Sequence, residues 1–158
     1  HVTMLRDMND ELHVLESSVF RGQLIDLLRE YRSHTPLKFL NEVNDEQYIT
    51  TMLTEIISGK GVALVAENGD IFGMLLAGIH PSQWSPKHLL MTELAYWVEP
   101  EYRGGTAGYR LLAMYVAEAK QLKESGRICN FFISKMVNSP DLSYGKLGFE
   151  KLEEFWVM

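Results

Sequence analysis

The stretch that most constrains this chain runs from Leu89 to Ser134. Leu89 to Val98 has the apolar character of a strand, Pro100 interrupts it, and a glycine-rich turn follows. Leu111, Leu112, Tyr115, Val116, Ala119 and Leu122 then fall on one face of a helix predicted from Thr106 to Ser125. Gly126 is a natural stop, and Arg127 to Ser134 resumes a strand pattern. Two strands joined through a long helix cannot be hairpin neighbours. The connection makes them parallel, with a right-handed crossover, so the chain must build a sheet with a parallel pair in it.

The segments upstream read differently. Leu12, Leu15, Val19, Leu24, Leu27, Leu28 and Tyr31 recur at near-helical spacing, which predicts helix from about Asp10 to His34 with a break near Gly22. A second helix starts at Asn44 as cap, with Gln47 three residues on, carries Tyr48, Ile49, Met52, Leu53, Ile56 and Ile57 on one face, and ends at Gly59. The period then changes. Val62 to Ala66 is a short apolar run, Asn68-Gly69 is a hairpin turn signal, and Ile71 to Ile79 is the returning strand. A loop is expected around Pro81 and Pro86. After the parallel unit, Ser139-Pro140-Asp141 has the cap, N1 proline and acidic first turn of a short helix that Gly148 closes, and Phe149 to Met158 supplies final strand material. The expected fold class is α/β with a mixed α+β sheet: N-terminal helices, an antiparallel meander, then βαβ. No repeat, low-complexity tract or linker interrupts the sequence, so residues 1–158 are expected to form a single domain.

Charge and composition narrow the function. A formal net charge of −6 argues against a nucleic-acid partner, which needs clustered Lys and Arg for phosphate contacts. No apolar run is long enough to cross a bilayer, and the first residues lack the charged-then-apolar pattern of an export signal, so no membrane association and a cytoplasmic setting are expected. The single cysteine, Cys129, lies in an apolar run and is expected to be a small buried residue. His1, His13, His34, His80 and His88 lack metal-ligand spacing, and no metal is predicted.

The chemistry concentrates at the turn Val98-Glu99-Pro100-Glu101-Tyr102-Arg103-Gly104-Gly105-Thr106-Ala107-Gly108. A turn of this kind presents free backbone N–H groups at the positive end of a helix dipole, and glycines let an anion approach the main chain. Arg103 adds a permanent charge. No Lys-Ser or Lys-Thr follows the glycines as a P-loop requires, and their spacing is not that of a dinucleotide fingerprint. Nucleotide binding therefore stands as a lesser alternative.

Val98-x-Pro-x-Tyr-Arg-Gly leading into a long helix resembles the acetyl-CoA-binding segment of the GNAT N-acetyltransferase superfamily. Arg103 and Gly108 fill the first and last places of that family's core pattern, while Thr106 stands where glycine is usual. Downstream, Tyr144-Gly145-Lys146-Leu147-Gly148-Phe149 is similar to the family's Tyr-x-x-x-Gly-Phe. The resemblance implies a GNAT-like fold in which the two parallel strands splay apart, and direct transfer of an acetyl group from acetyl-CoA, the cosubstrate, to a primary amine of a small molecule or a protein. It implies that main-chain groups around Trp97 and Val98 bind pantetheine, that the N–H groups of Arg103, Gly104, Gly105, Thr106, Ala107 and Gly108 take the pyrophosphate, and that Asn138 contacts the cofactor. Tyr144 is implied as the general acid. Glu93 is the one carboxylate on the strand leading to Val98 and is a candidate base, alongside ordered water. Counted back from Arg103, the usual base positions fall nearer Thr92 and Leu94, and a β-bulge is needed to turn Glu93 to the right face. Family members commonly dimerise, and Met136 to Phe149 and the strand edges offer surfaces for a homodimer. The alternative to an enzyme is a non-catalytic acyl-CoA-binding or interaction module that keeps the fold.

Overall fold

The computed structural model describes residues 1–5 and 18–158. Among these residues, five strands form one sheet whose spatial order is their order along the chain. These are β1 (Val2–Leu5), β2 (Gly61–Glu67), β3 (Ile71–Ser82), β4 (Ser85–Val98) and β5 (Asn130–Phe132). Each of the first four pairs antiparallel with its neighbour, and β5 joins β4 in parallel. The helices are α1 (Ser18–His34), α2 (Glu46–Glu55) and α3 (Ala107–Glu124), the last carrying the crossover from β4 to β5. The mixed α/β architecture expected from the sequence is present. The part of the N-terminal helix assigned to Asp10–Ser17, with Leu12 and Leu15, lies outside the described residues.

Strand alternation divides the core in two. Leu5, Ala63, Val65, Met74, Leu76, Ala95 and Trp97 face α1 and α2, where Leu24, Leu27, Leu28 and Leu53 meet them. Leu64, Ala66, Leu75, Ala77, Met91 and Val98 face α3, where Leu111, Leu112, Tyr115 and Ala119 are fully buried. Period 2 in the strands and period 3.6 in the helices thus bury one stripe from each element and leave the sheet as a wall between two packed volumes.

Several expectations need correction. The helix runs unbroken through Gly22, because the packing of Leu24, Ile25, Leu27 and Leu28 outweighs one glycine. Asp45, not Asn44, caps α2: its backbone is extended and Oδ1 accepts the N–H of Tyr48 at 3.0 Å. Gly59 does end this segment, at φ 121°, after a wider final turn over Ile56–Lys60. The proposed loop around Pro81 and Pro86 is instead a hairpin that projects past the rest of the sheet. β2 begins opposite Gly78 and β5 pairs only with Leu90–Thr92, so neither proline faces a neighbour that needs its missing N–H. Val2–Leu5, left unassigned from the sequence, forms the edge strand β1.

The C-terminal third departs most. The strand predicted over Arg127–Ser134 is paired only from Asn130 to Phe132. Cys129 is exposed, not buried. Its neighbour Ile128 takes the α3-side core, and the core on the other face contains no residue of β5 to cover the thiol. The helix predicted from Ser139 shrinks to a single 3-10 turn at Tyr144–Leu147, because Asp141 Oδ1 accepts the N–H of Ser143 and Ser143 adopts a left-handed conformation at φ 58°. Phe149–Met158 forms no strand, and Leu152, Phe155, Trp156 and Val157 are exposed. Phe149 alone reaches the core, and beyond it the segment makes a local Lys151–Glu154 ion pair at 2.7 Å. None of the helices among the described residues is long and apolar enough to cross a membrane.

Gly61 shows how tightly the meander is drawn. A Cβ there would lie 2.1 Å from the carbonyl oxygen of Ala77, a main-chain atom held in the β2–β3 ladder. Gly61→Ala is expected to destabilise the fold by at least about 1–3 kcal/mol, read as a lowered urea midpoint.

Candidate active site

The site begins where β4 and β5 part. Their ladder covers Leu90–Thr92 against Asn130–Phe132 and stops there, while β4 continues along β3 to Val98. Just past the fork, Leu76 pairs with Ala95 but Ala77 pairs with Glu93, so Leu94 is an extra residue. This is the β-bulge that the Glu93 assignment required. Without it, Glu93 would share the α1–α2 face with Ala95 and Trp97. With it, Glu93 sits on the α3 face beside Ala77. The hydroxyl of Tyr31 on α1 donates to the carbonyl of the bulged Leu94 at 3.3 Å.

Glu93 is 8% exposed. Burial pushes its carboxyl up to about 7, opposed by the backbone N–H of Ser134, which donates to it from the far side of the fork. Tyr31, Tyr96, Tyr115 and Tyr144 all lie close enough for the Glu93 charge to hinder their ionisation, with burial the larger cause in each. Tyr115, fully buried on α3, donates to the carbonyl of Phe132 at 2.7 Å. Tyr96 donates to the carbonyl of Gly108 in the first turn of α3. Tyr144 is half-buried and packs edge-on against Phe149, which in turn meets Phe131 of β5.

The glycine turn is a short 3-10 turn over Pro100–Tyr102 leading into α3. The N–H of Arg103 bonds Pro100 and that of Gly105 bonds Tyr102, so these two expected anion donors are engaged within the turn. No acceptor among the described residues meets the N–H of Gly104, Thr106, Ala107 or Gly108. Thr106 occupies the cap position at φ −100°, a conformation open to any residue, and its departure from the usual glycine costs no backbone strain. Nor does the chain itself demand glycine nearby. A Cβ on Gly104 would meet nothing within 4 Å, and one on Gly108 only ordinary contacts at 3.6 Å and beyond.

The remaining expected residues take up distinct positions. Arg103 folds back, its Nε donating to the Val98 carbonyl at 2.8 Å and its guanidinium 4.4 Å from the centre of the Trp97 ring. Trp97 faces α1, 4.8 Å from the ring of His34, and its Nε1 is buried without an acceptor among the described residues. Asn138 donates from Nδ2 to the carbonyl of His34, tying the segment after β5 to the end of α1. Glu99 lies against Glu30, and partial burial together with that neighbour pushes it up to about 7. Among the described residues, no cluster of His, Cys, Asp or Glu is placed to hold a metal ion.

The profile of the acetyltransferase (GNAT) family matches residues 23–149. The chain belongs to the GNAT family. Solved structures agree on the GNAT fold: a Trypanosoma brucei acetyltransferase superposes with a TM-score of 0.63 at 19% identity over 100% of this chain and 99% of its own. A predicted acetyltransferase from Clostridium acetobutylicum, solved with acetyl-CoA, gives 0.59 at 17% identity, covering 100% and 96%. A transcriptional regulator from Bacillus halodurans C-125 gives 0.61 at 20%, covering 100% and 99%. No curated protein sequence matches the chain. Tyr31, Tyr96 and Tyr115 are the polar groups at the GNAT fork that sequence reasoning passed over. Their signal was present, since a tyrosine at a core position needs a partner for its hydroxyl.

Glu93 makes stability depend on pH. In the unfolded chain its carboxyl ionises near 4.5, and in the folded protein near 7. Between those values the folded state holds the extra proton, so this contribution is full below 4.5 and is lost as pH rises through about 7. Glu93→Gln is expected to gain stability relative to the parent across that window, by on the order of 3 kcal/mol at pH 8, measured by urea unfolding at a series of pH values.

Proposed function

We propose that this chain is an N-acetyltransferase that moves an acetyl group from acetyl-CoA to a primary amine of a small molecule or protein by direct attack. The observation that carries the reading is the fork itself, where a buried carboxyl near neutrality and a half-buried tyrosine lie beside a strand end and a helix start with unused amides. The N–H groups of Gly104, Thr106, Ala107 and Gly108, without an acceptor among the described residues, lie at and just before the N-terminus of α3, where the helix end favours an anion such as a diphosphate. The length of β4 beyond Thr92, with Trp97 and Val98 at its end, offers main chain for the pantetheine arm. Acetyl-CoA supplies the activated acetyl thioester.

The chain's own groups handle protons. An alkylammonium ionises near ~10, so the attacking nitrogen must be freed of its proton before it reacts. Glu93, shifted by burial to about 7, is a stronger base than an ordinary carboxylate and is still largely ionised just above neutrality. Tyr144 is raised above its usual value by burial, then by Glu93 and Asp141, and so keeps its proton at neutral pH. A tyrosine in that state is able to donate toward a departing thiolate.

Thermal unfolding with acetyl-CoA, CoA, ATP and NAD tests the cosubstrate. Stabilisation by the two CoA species alone is expected, about 2.7 kcal/mol at a hundredfold excess over Kd. Stabilisation by ATP or NAD without CoA would replace this reading with nucleotide binding. Turnover with an amine panel then separates an enzyme from a non-catalytic CoA-binding module. Tyr144→Phe is expected to lower kcat at least tenfold with CoA affinity within about twofold. Glu93→Gln is expected to lower kcat/KM and to abolish its rise with pH through about 7.

A further inference from the structure

Tyr96 has no part in the proton transfers above, yet its hydroxyl reaches across to donate to the carbonyl oxygen of Gly108. It stands on β4 opposite Leu75, on the α3 side of the sheet. Its ring and Val98 form the floor under the first turn of α3: a Cβ on Gly108 would lie 3.6 Å from the Tyr96 hydroxyl and 3.8 Å from Val98 Cγ2. The carbonyl of Gly108 belongs to the same peptide plane as the N–H of Tyr109. That N–H has no acceptor among the described residues, since the first bond into α3 runs from Arg110 to Thr106. Holding the oxygen at one end of a rigid plane fixes where the hydrogen at the other end points. Donation to the carbonyl also polarises the peptide and makes its N–H a stronger donor.

We infer that Tyr96 is a positioning residue for the anion cradle, orienting the Gly108–Tyr109 peptide so that the Tyr109 N–H joins the amides facing the diphosphate. The inference rests on the acetyl-CoA reading and deepens it by naming a fifth donor and the strand residue that aims it. It also explains why a tyrosine, not an aliphatic residue, occupies a position otherwise lined by Leu75 and Val98: an aliphatic side chain supports the helix but cannot hold the carbonyl. After burial, the nearby Tyr144 and then Glu93 further hinder the ionisation of Tyr96, which keeps its hydroxyl a donor.

The test compares two acetyl donors. S-Acetylpantetheine carries the thioester and lacks the diphosphate, so a residue that serves the diphosphate must matter less for it. In Tyr96→Phe, the loss of kcat/KM with acetyl-CoA is expected to exceed the loss with S-acetylpantetheine by roughly three- to tenfold, the worth of one hydrogen bond, and to lie mainly in KM. Equal losses with both donors would mean that Tyr96 only supports the fold, and no loss with either would mean that it does neither. Should Tyr96→Phe fail to fold, Tyr109→Pro deletes the amide itself at an exposed third position of α3, where no intrahelical bond uses that N–H, with the same selective loss expected. Parity of the two donors in that variant overturns the inference. A parent protein that shows no CoA binding overturns the cosubstrate reading and this inference together, whereas CoA binding left intact in both variants overturns the inference alone.

Discussion

When two neighbouring strands part, every backbone group left between them must find a new partner or face water. The divergence of β4 from β5 sets that problem, and the chain answers it with side chains. Glu93 accepts the N–H of Ser134, Tyr115 donates to Phe132, and Tyr31 donates to the bulged Leu94. Side chains thus hold the fork open, while β4 beyond Thr92 keeps main chain without a β5 partner. The groups that stabilise the opening are also those with acid–base character, because a hydroxyl or carboxyl is what can replace a lost ladder bond. The cost is carried by Glu93, whose burial keeps it from ionising at the pH where an exposed carboxyl does so freely.

Helix α3 links this fork to the glycine turn. Its buried face of Leu111, Leu112, Tyr115 and Ala119 clamps it to the sheet and fixes where its N-terminus lies relative to β4. The turn preceding it draws Arg103 back onto Trp97 and Val98, which ties the loop to the strand it has just left. The unused amides are thereby held at a fixed distance from Glu93 by a rigid strand, a rigid helix and one side-chain stack. Rigid support of this kind is what positioning demands.

How much of this could be read from the sequence follows from how local each feature is. The long helix and its glycine turn are written in consecutive residues, as are the β2–β3 hairpin at Asn68-Gly69 and the stop at Gly59, and all four stand in the structure where the pattern put them. Glu93 was different. Which face it takes depends on a bulge at Leu94, and that is decided by register against β3, information that no window of β4 contains. The bond from Asn138 to His34 joins residues far apart in sequence and was likewise invisible. Tyr115 was counted as one more apolar residue of a helix face, correct for its ring and silent about its hydroxyl. The last segments were overcalled, since strand propensity in Phe149–Met158 has no effect without a strand to pair with, and a left-handed Ser143 ended a helix that its cap residues had promised.

The topology also sets the order in which the molecule assembles. Strands β2, β3 and β4 meet through tight hairpins, which close quickly and at little entropic cost. The parallel pairing of Leu90–Thr92 with Asn130–Phe132 must wait until α3 has formed and folded back, and it ends with a short ladder at the rim of the sheet. The meander is thus the early scaffold and the fork the late addition. Native-state opening is expected to reverse that order, with amides flanking Phe132 and Ser134 exchanging with solvent ahead of those in β3, so the bond from Ser134 to Glu93 is among the first the fold gives up.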